Sequence, residues 1–275
     1  MGNPNTLCIA GKNRIAVEAL RLLDQLNLFD ISVCPVQSDT GEDTWQPSLK
    51  QEAMRRNKPI ITLAQAYKRY DLIFLSLEFD KIINVNKFEN ATLLNIHFSL
   101  LPACKGCDTS IWPIYFGERV TGVTLHAIDY GIDTGPLIDQ ETIELDERVT
   151  SRELYDLYQD SAVRVLQRNA QAILLRDFTV KPQEPGQSTY FPRGSLSRTS
   201  PEIDFSATAS QISRHVRAFF FPEYQTATCN GAQIEQCTIL GERSRAKPGT
   251  VLSKTSSRIT ISTVDFDVEL VVFQP

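Results

Sequence analysis

Apolar residues along this chain switch between short continuous runs and helically spaced positions. Thr6-Leu7-Cys8-Ile9-Ala10 is a run closed by Gly11 and predicts a strand. Arg14 to Leu26 places Ile15, Ala19, Leu22, Leu23 and Leu26 at helical spacing. Ile31 to Val36 predicts a second strand, Ser48 to Asn57 a short helix, Pro59 to Leu63 a third strand or extended segment, and Ala64 to Tyr70 a helix. Asp71 to Leu77 is almost wholly apolar, as the centre of a parallel sheet requires. Lys81 to Lys87 predicts a short helix and Ala91 to His97 a further buried strand. Strands alternating with helices predict an α/β fold: a Rossmann-like, doubly wound, mostly parallel sheet.

The pattern changes after Pro102. A loop rich in small residues, Ala103 to Ser110, precedes a helix opening around Pro113. Thr121 to Ile128 and Leu137 to Leu145 alternate as strands around a turn-rich loop, Asp129 to Pro136. Thr150-Ser151-Arg152-Glu153 fits a capping box and opens a long amphipathic helix to about Leu175. Lys181 to Thr199 is rich in Pro, Gly, Ser and Arg and lacks periodicity; Thr208 to Ala218 is helical; Ala227 to Pro275 alternates in strand fashion. The expected organisation is a catalytic α/β domain over 1–180, a connection over 181–205, and a helix with a small β-rich C-terminal domain over 206–275.

Composition narrows the class. The 275 residues are 42% hydrophobic and 22% charged, with a net charge of -5, an ordinary globular balance that argues against a nucleic-acid partner held by a basic surface. No apolar stretch reaches the roughly 18 residues of a membrane span, and Met1 to Asn5 lack the pattern of a secretory leader. Among six cysteines, Cys104-Lys105-Gly106-Cys107 has CxxC spacing but lacks the context of a redox motif or a zinc half-site. A reducing, cytoplasmic setting is expected.

The candidate chemistry sits at Asn95-Ile96-His97-Phe98-Ser99-Leu100-Leu101-Pro102. In a strand, residues i and i+2 share a face, so Asn95 and His97 stand together where the chain leaves the sheet. One brings an amide and the other a ring able to exchange a proton. A capped strand end with two satisfied polar residues is the other reading. Asp133, in the glycine-flanked loop, could orient the ring. Asn, His and Asp form a coherent acyl-transfer set: donors for a developing oxyanion, a base, and a carboxylate that holds the base. His97 and Asp133 with a third ligand could instead hold zinc, but Asn suits zinc poorly and no paired His or Cys set supports it, so no metal is expected. Gly11-Lys12-Asn13 reads either as a ligand loop at a strand end or as a plain turn; it is neither a P-loop nor a dinucleotide fingerprint. His126 and His215 are expected to be structural.

Asn95-x-His97-x-Ser99-Leu100-Leu101-Pro102, Lys105-Gly106, Thr121-Gly122-Val123-Thr124-Leu125-His126 and Asp129-x-Gly131-x-Asp133-Thr134-Gly135 resemble the signature of the folate-dependent formyltransferases. The resemblance implies the formyltransferase fold, N10-formyltetrahydrofolate as formyl donor, and catalysis by Asn95, His97 and Asp133. It places the folate against Leu77, Phe79, Asp80, Ile128, Asp129, Gly131 and Ile132.

Gly11-Lys12-Asn13, Thr109 to Trp112 and Arg217 to Tyr224 look most like bacterial enzymes that formylate dTDP-linked amino-dideoxy sugars. A nucleotide sugar needs an aromatic face and cations for its pyrophosphate. The residues taken for that role are Lys12, Asn13, Ser99, Lys105, Arg193, Arg217, Phe221 and Tyr224, with core packing the competing reading of the aromatics. The expected acceptor is a dTDP-4-amino-4,6-dideoxyhexose for surface polysaccharide (O-antigen) synthesis. Initiator tRNA and a UDP-4-amino-arabinose are the alternatives. Lys247 to Val251 resembles the start of the C-terminal domain of methionyl-tRNA formyltransferase. A homodimer through the C-terminal region, and no membrane partner, complete the expectation.

Overall fold

The computed structural model describes residues 6–196 and 201–274. The polar start, residues 197–200 of the expected connection, and Pro275 lie outside the described residues. In chain order the elements are β1 (Thr6–Gly11), α1 (Asn13–Gln25), β2 (Asp30–Pro35), α2 (Leu49–Arg55), α3 (Leu63–Ala66), β3 (Leu72–Leu77), β4 (Thr92–His97), β5 (Lys105–Gly106), α4 (Trp112–Phe116), β6 (Val120–Ala127), β7 (Leu137–Glu144), α5 (Ser151–Leu175), β8 (Tyr190–Phe191), α6 (Ala209–Phe219), β9 (Ala227–Cys229), β10 (Ala232–Ile239), β11 (Val251–Lys254), β12 (Arg258–Ile261) and β13 (Val268–Val272). They form two compact units that interleave along the chain. The first is Met1–Gly106, Gly122–Ile143 and Tyr158–Tyr190; the second is Cys107–Thr121, Glu144–Leu157 and Phe191–Pro275. The boundary near 190 falls inside the expected connection. Segments 107–121 and 144–157, however, group with the C-terminal region rather than with the α/β part.

A six-stranded sheet in the order β2-β1-β3-β4-β6-β7 organises the first unit. β1 pairs parallel with β2 and β3, and β3 with β4, whereas β4 and β6 are antiparallel. Every residue of β3 is buried, which explains why all but Ser76 are apolar. Gly11 ends β1 because a Cβ there would stand 1.8 Å from the Leu77 carbonyl oxygen. Its absence lets the Lys12 N–H donate to that same oxygen at 3.2 Å. α1 buries Ile15, Ala16, Ala19, Leu20 and Leu23, and Phe74 of β3 meets the rings of Phe79 and Phe88.

Pro59 to Leu63 takes the extended form rather than that of a full strand: only Ile60 bridges Val33, Pro59 lacks an N–H, and Thr62 caps α3. One expected element takes another form. Lys81 to Lys87 yields only a 3-10 turn, Val85–Lys87, where the Asn84 side chain accepts from the Asn86 N–H and competes with helical bonding.

The second unit holds a five-stranded antiparallel sheet, β11-β12-β13-β10-β9. α6 starts at a Thr208–Gln211 capping box and carries His215 and Phe219 against Tyr115 of α4. Trp112 stacks on Phe191 at 4.0 Å between centroids and donates its Nε1–H to Cys107 O.

Candidate active site

The site grows from the end of β4. Asn95 pairs with Ser76 of β3 on one side and with His126 of β6 on the other, and His97 pairs with Thr124. Beyond His97 the chain turns back through a braced loop. Thr124 Oγ1 donates to Ser99 O at 2.6 Å and accepts the Leu101 N–H at 3.1 Å. Gln140 Nε2 donates to both Leu101 O and Thr124 Oγ1, and Ser99 Oγ donates to Ala103 O at 2.7 Å. The loop thereby delivers Cys104 O to His97 Nε2, 2.9 Å away.

Asp133 comes from the loop between β6 and β7. Asp129 Oδ1 accepts from Gly131 N and Thr134 Oγ1, and Gln183 Nε2 donates to Asp133 O and Gly135 O. A Cβ on Gly135 would lie 1.8 Å from Ala127 O, so the turn closes only with glycine there. Asp133 itself has a φ of 55°, a left-handed backbone that points its carboxylate into the site. Oδ2 accepts the Gly106 N–H at 2.8 Å and stands 3.5 Å from His97 Nδ1. Oδ1 stands 3.7 Å from His126 Nε2.

One step along the β4–β6 register from the Asn95–His126 pair, Leu94 and Ala127 line a cavity of about 460 Å³, together with Val85, Phe88, Thr92, Leu93, Ile128 and Phe178 among others. That volume lies in the range of small-molecule sites, roughly 300–1,000 Å³. An amide, two imidazoles and a carboxylate beside a largely apolar cavity suit transfer of an acyl group. Among the described residues no cluster of three His, Cys, Asp or Glu could hold a metal, and no helix is long and apolar enough to cross a membrane.

The sequence pattern of the formyl transferase family matches residues 37–169, and that of its C-terminal domain matches 195–275. A methionyl-tRNA formyltransferase of Clostridium perfringens is 30% identical over 274 residues, 92% of this chain and 86% of that protein. The chain belongs to the formyl transferase family. Two solved structures resemble this formyltransferase over its whole length. WlaRD, a sugar 3N-formyl transferase determined in the presence of dTDP and 5-N-formyl-THF, superposes with a TM-score of 0.90 at 37% identity, covering 100% of both chains. The N-formyltransferase of Helicobacter canadensis in complex with folinic acid and dTDP-3-aminofucose gives 0.88 at 37% identity, covering 98% of this chain and 100% of that one. A 4-N formyltransferase from Francisella tularensis, 19% identical with a TM-score of 0.67 over 82% of this chain and 92% of that one, shares the fold.

Within this formyltransferase the expected residues separate by position. Asn95, His97 and Asp133 converge. Of those expected to face the folate, Ile128 lines the cavity, Leu77 is fully buried in β3, and Phe79 packs on Phe74. Asp129 and Gly131 shape the turn, and Asp80 and Ile132 are exposed. On the expected acceptor side, Lys12 caps α1 through its backbone, and Asn13 Nδ2 donates to Glu78 Oε2 at 3.1 Å. Glu78 also accepts from the buried Gln159. Ser99 is buried and committed to its own loop, and Lys105 is buried with Nζ on Ser188 Oγ.

Arg193, Arg217, Phe221 and Tyr224 belong to the second unit. Arg217 donates to Val149 O, and burial, then Arg214, lowers its pKa. Phe221 is buried between Tyr155 and Tyr224 under the Arg152 guanidinium. Tyr224 is 52% exposed.

His126 is the residue that sequence reasoning set aside. It is 2% exposed, its Nε2 is 3.0 Å from Asn95 Nδ2, and its Nδ1 is 2.8 Å from Ala127 O. Burial, then the neighbouring His97, pushes its pKa down to about 4. The available signal was its place in an alternating strand beside the Asp133 loop. The antiparallel pairing that seats it opposite Asn95 has no local sequence mark.

Proposed function

We propose that this formyltransferase moves a formyl group from N10-formyltetrahydrofolate to the amine of a dTDP-linked 3-amino-dideoxy sugar, for surface polysaccharide (O-antigen) synthesis. The observation that carries the proposal is the full-length likeness, at 37% identity, to two enzymes solved with dTDP or a dTDP-3-amino sugar and a formylated folate. It moves the expected amine from C4 to C3, since the 4-N formyltransferase shares the fold alone. A pterin in the cavity beside Ile128 would meet largely apolar walls, with Asn90 and Thr92 as polar groups. The unbridged thiols of Cys8, Cys34, Cys107, Cys229 and Cys237 suit a cytoplasmic enzyme. Exposed Val251 and Leu252 on edge strand β11 suit a homodimer through the C-terminal region.

The donor supplies an activated formyl carbon. Asn95 gives an amide N–H to the carbonyl oxygen as it gains negative charge. As the amine nitrogen bonds to that carbon, its proton passes to the His97–Asp133 pair, 3.5 Å apart. The pair returns the proton to the departing N10, so the new C–N bond forms as the old one breaks and no charge is left over. The Gly106 N–H and Cys104 O hold the carboxylate and ring in place.

A second reading, formylation of initiator methionyl-tRNA, is favoured by the curated relatives of similar length. An acceptor panel with N10-formyltetrahydrofolate separates the two: dTDP-3-amino, dTDP-4-amino and UDP-4-amino sugars and methionyl-tRNA. The expected result is kcat/KM for the dTDP-3-amino sugar at least about tenfold above every other acceptor. Turnover confined to methionyl-tRNA would replace the proposal with the second reading.

A further inference from the structure

The hydrogen-bond partners of His126 determine its tautomer. Nδ1 lies 2.8 Å from Ala127 O, and a carbonyl oxygen only accepts, so Nδ1 carries a hydrogen and donates it. Nε2 lies 3.0 Å from the Asn95 amide. With the amide nitrogen toward the ring, Nε2 is a bare lone pair that accepts an N–H. With the amide reversed, Nε2 would need a hydrogen as well, making the ring an imidazolium. His126 is 2% exposed and faces His97 from β4 and the carboxylates of Asp133 and Asp129 from the following loop. Burial and His97 outweigh those carboxylates and keep the ring neutral, with its pKa near 4. The neutral Nδ1–H ring therefore admits one orientation of the amide.

We propose that His126 is a positioning residue for formyl transfer: its Nε2 accepts one N–H of Asn95, locks the amide nitrogen toward β6, and leaves the second N–H for the developing oxyanion. This rests on the oxyanion role given to Asn95 above. Without the ring, the amide can turn over and present its own oxygen to the oxyanion, converting a donor into a repulsive group.

Two measurements test this. The first needs no substrate. Nitrogen-15 NMR of histidine-labelled protein, which has 3 histidines, should show a neutral Nδ1–H ring at pH 7 that disappears in His126→Phe. An Nε2–H tautomer or an imidazolium at that signal overturns the proposal. The second is a double-mutant cycle with whichever acceptor the enzyme turns over. His126→Phe should lower kcat by about 10- to 100-fold with both KM values within about threefold. His126→Gln, whose amide oxygen can accept the same N–H, should recover part of that loss. On an Asn95→Ala background, His126→Phe should change kcat by less than about threefold, because its effect runs through the absent amide.

Equal losses on both backgrounds would show a merely structural His126 and overturn the proposal. If His126→Phe does not fold, His126→Asn, too short to reach Asn95, takes its place in the cycle. The NMR signal is then assigned by removing His97 and His215 in turn. Absence of wild-type turnover with every acceptor would count against the proposed function while the tautomer result stands.

Discussion

In the proposed mechanism Asp133 acts through its charge, at a distance set by its backbone. Its Oδ2 is anchored by the Gly106 N–H, and an Asn at that position keeps the size and can still offer an oxygen to that donor. Asp133→Asn should therefore leave the KM for donor and acceptor nearly unchanged while kcat falls by about 10⁴-fold, as removal of an orienting carboxylate does elsewhere. Steady-state kinetics checks this; a proportionate rise in KM would mark the carboxylate as a scaffold. The juxtaposition of Asn95 and His97 was legible because residue type and i, i+2 spacing are local facts, and Asp133 was marked by its glycine-flanked loop and the family resemblance. The partner of Asn95 was not: His126 lies 31 positions away and reaches it only through the antiparallel pairing of β4 and β6.

Between α1 and α2 a buried carboxylate ties two helices together. Glu52 accepts from Arg21 and Arg56 at 3.0 and 2.8 Å, and Arg56 continues to Asp24, which also meets Lys58. The Arg21 hydrogen bond, opposed by burial and reinforced by Arg56, brings the Glu52 pKa down to about 2 from 4.5. A depressed carboxylate stabilises the fold fully above its unfolded pKa and loses that contribution as pH falls from about 4.5 toward 2. Glu52→Gln should cost about 2–3 kcal/mol at pH 7, with the gap to wild type closing across that window. Urea denaturation at a series of pH values reads both.

Helix starts were readable at this scale, since Thr150–Glu153 and Thr208–Gln211 form the hydrogen bonds their spacing implies. Pro59 to Leu63 stays an extended segment with one bridge, and Lys81 to Lys87 a 3-10 turn, because a run of suitable residues is not enough where a neighbouring cap or an Asn side chain competes for the same backbone groups.

For the whole molecule, the acceptor sets the prediction. With a net charge of -5, phosphate-driven attraction should be weak. Filter binding at moderate salt should retain no initiator tRNA at micromolar protein; retention that falls steeply with added salt would favour the tRNA reading.

What the chain alone determined was the α/β alternation, the strand ends that carry Asn95 and His97, the loop that carries Asp133, and the family signature. All of these are properties of neighbours in sequence. Tertiary structure decided the antiparallel seat of His126, the cavity beside Ile128, the burial of Ser99 and Phe221, and the grouping of 107–121 and 144–157 with the C-terminal sheet. These depend on strand order, register and which surfaces exclude water together, and such long-range packing leaves no periodic trace in the residues that take part.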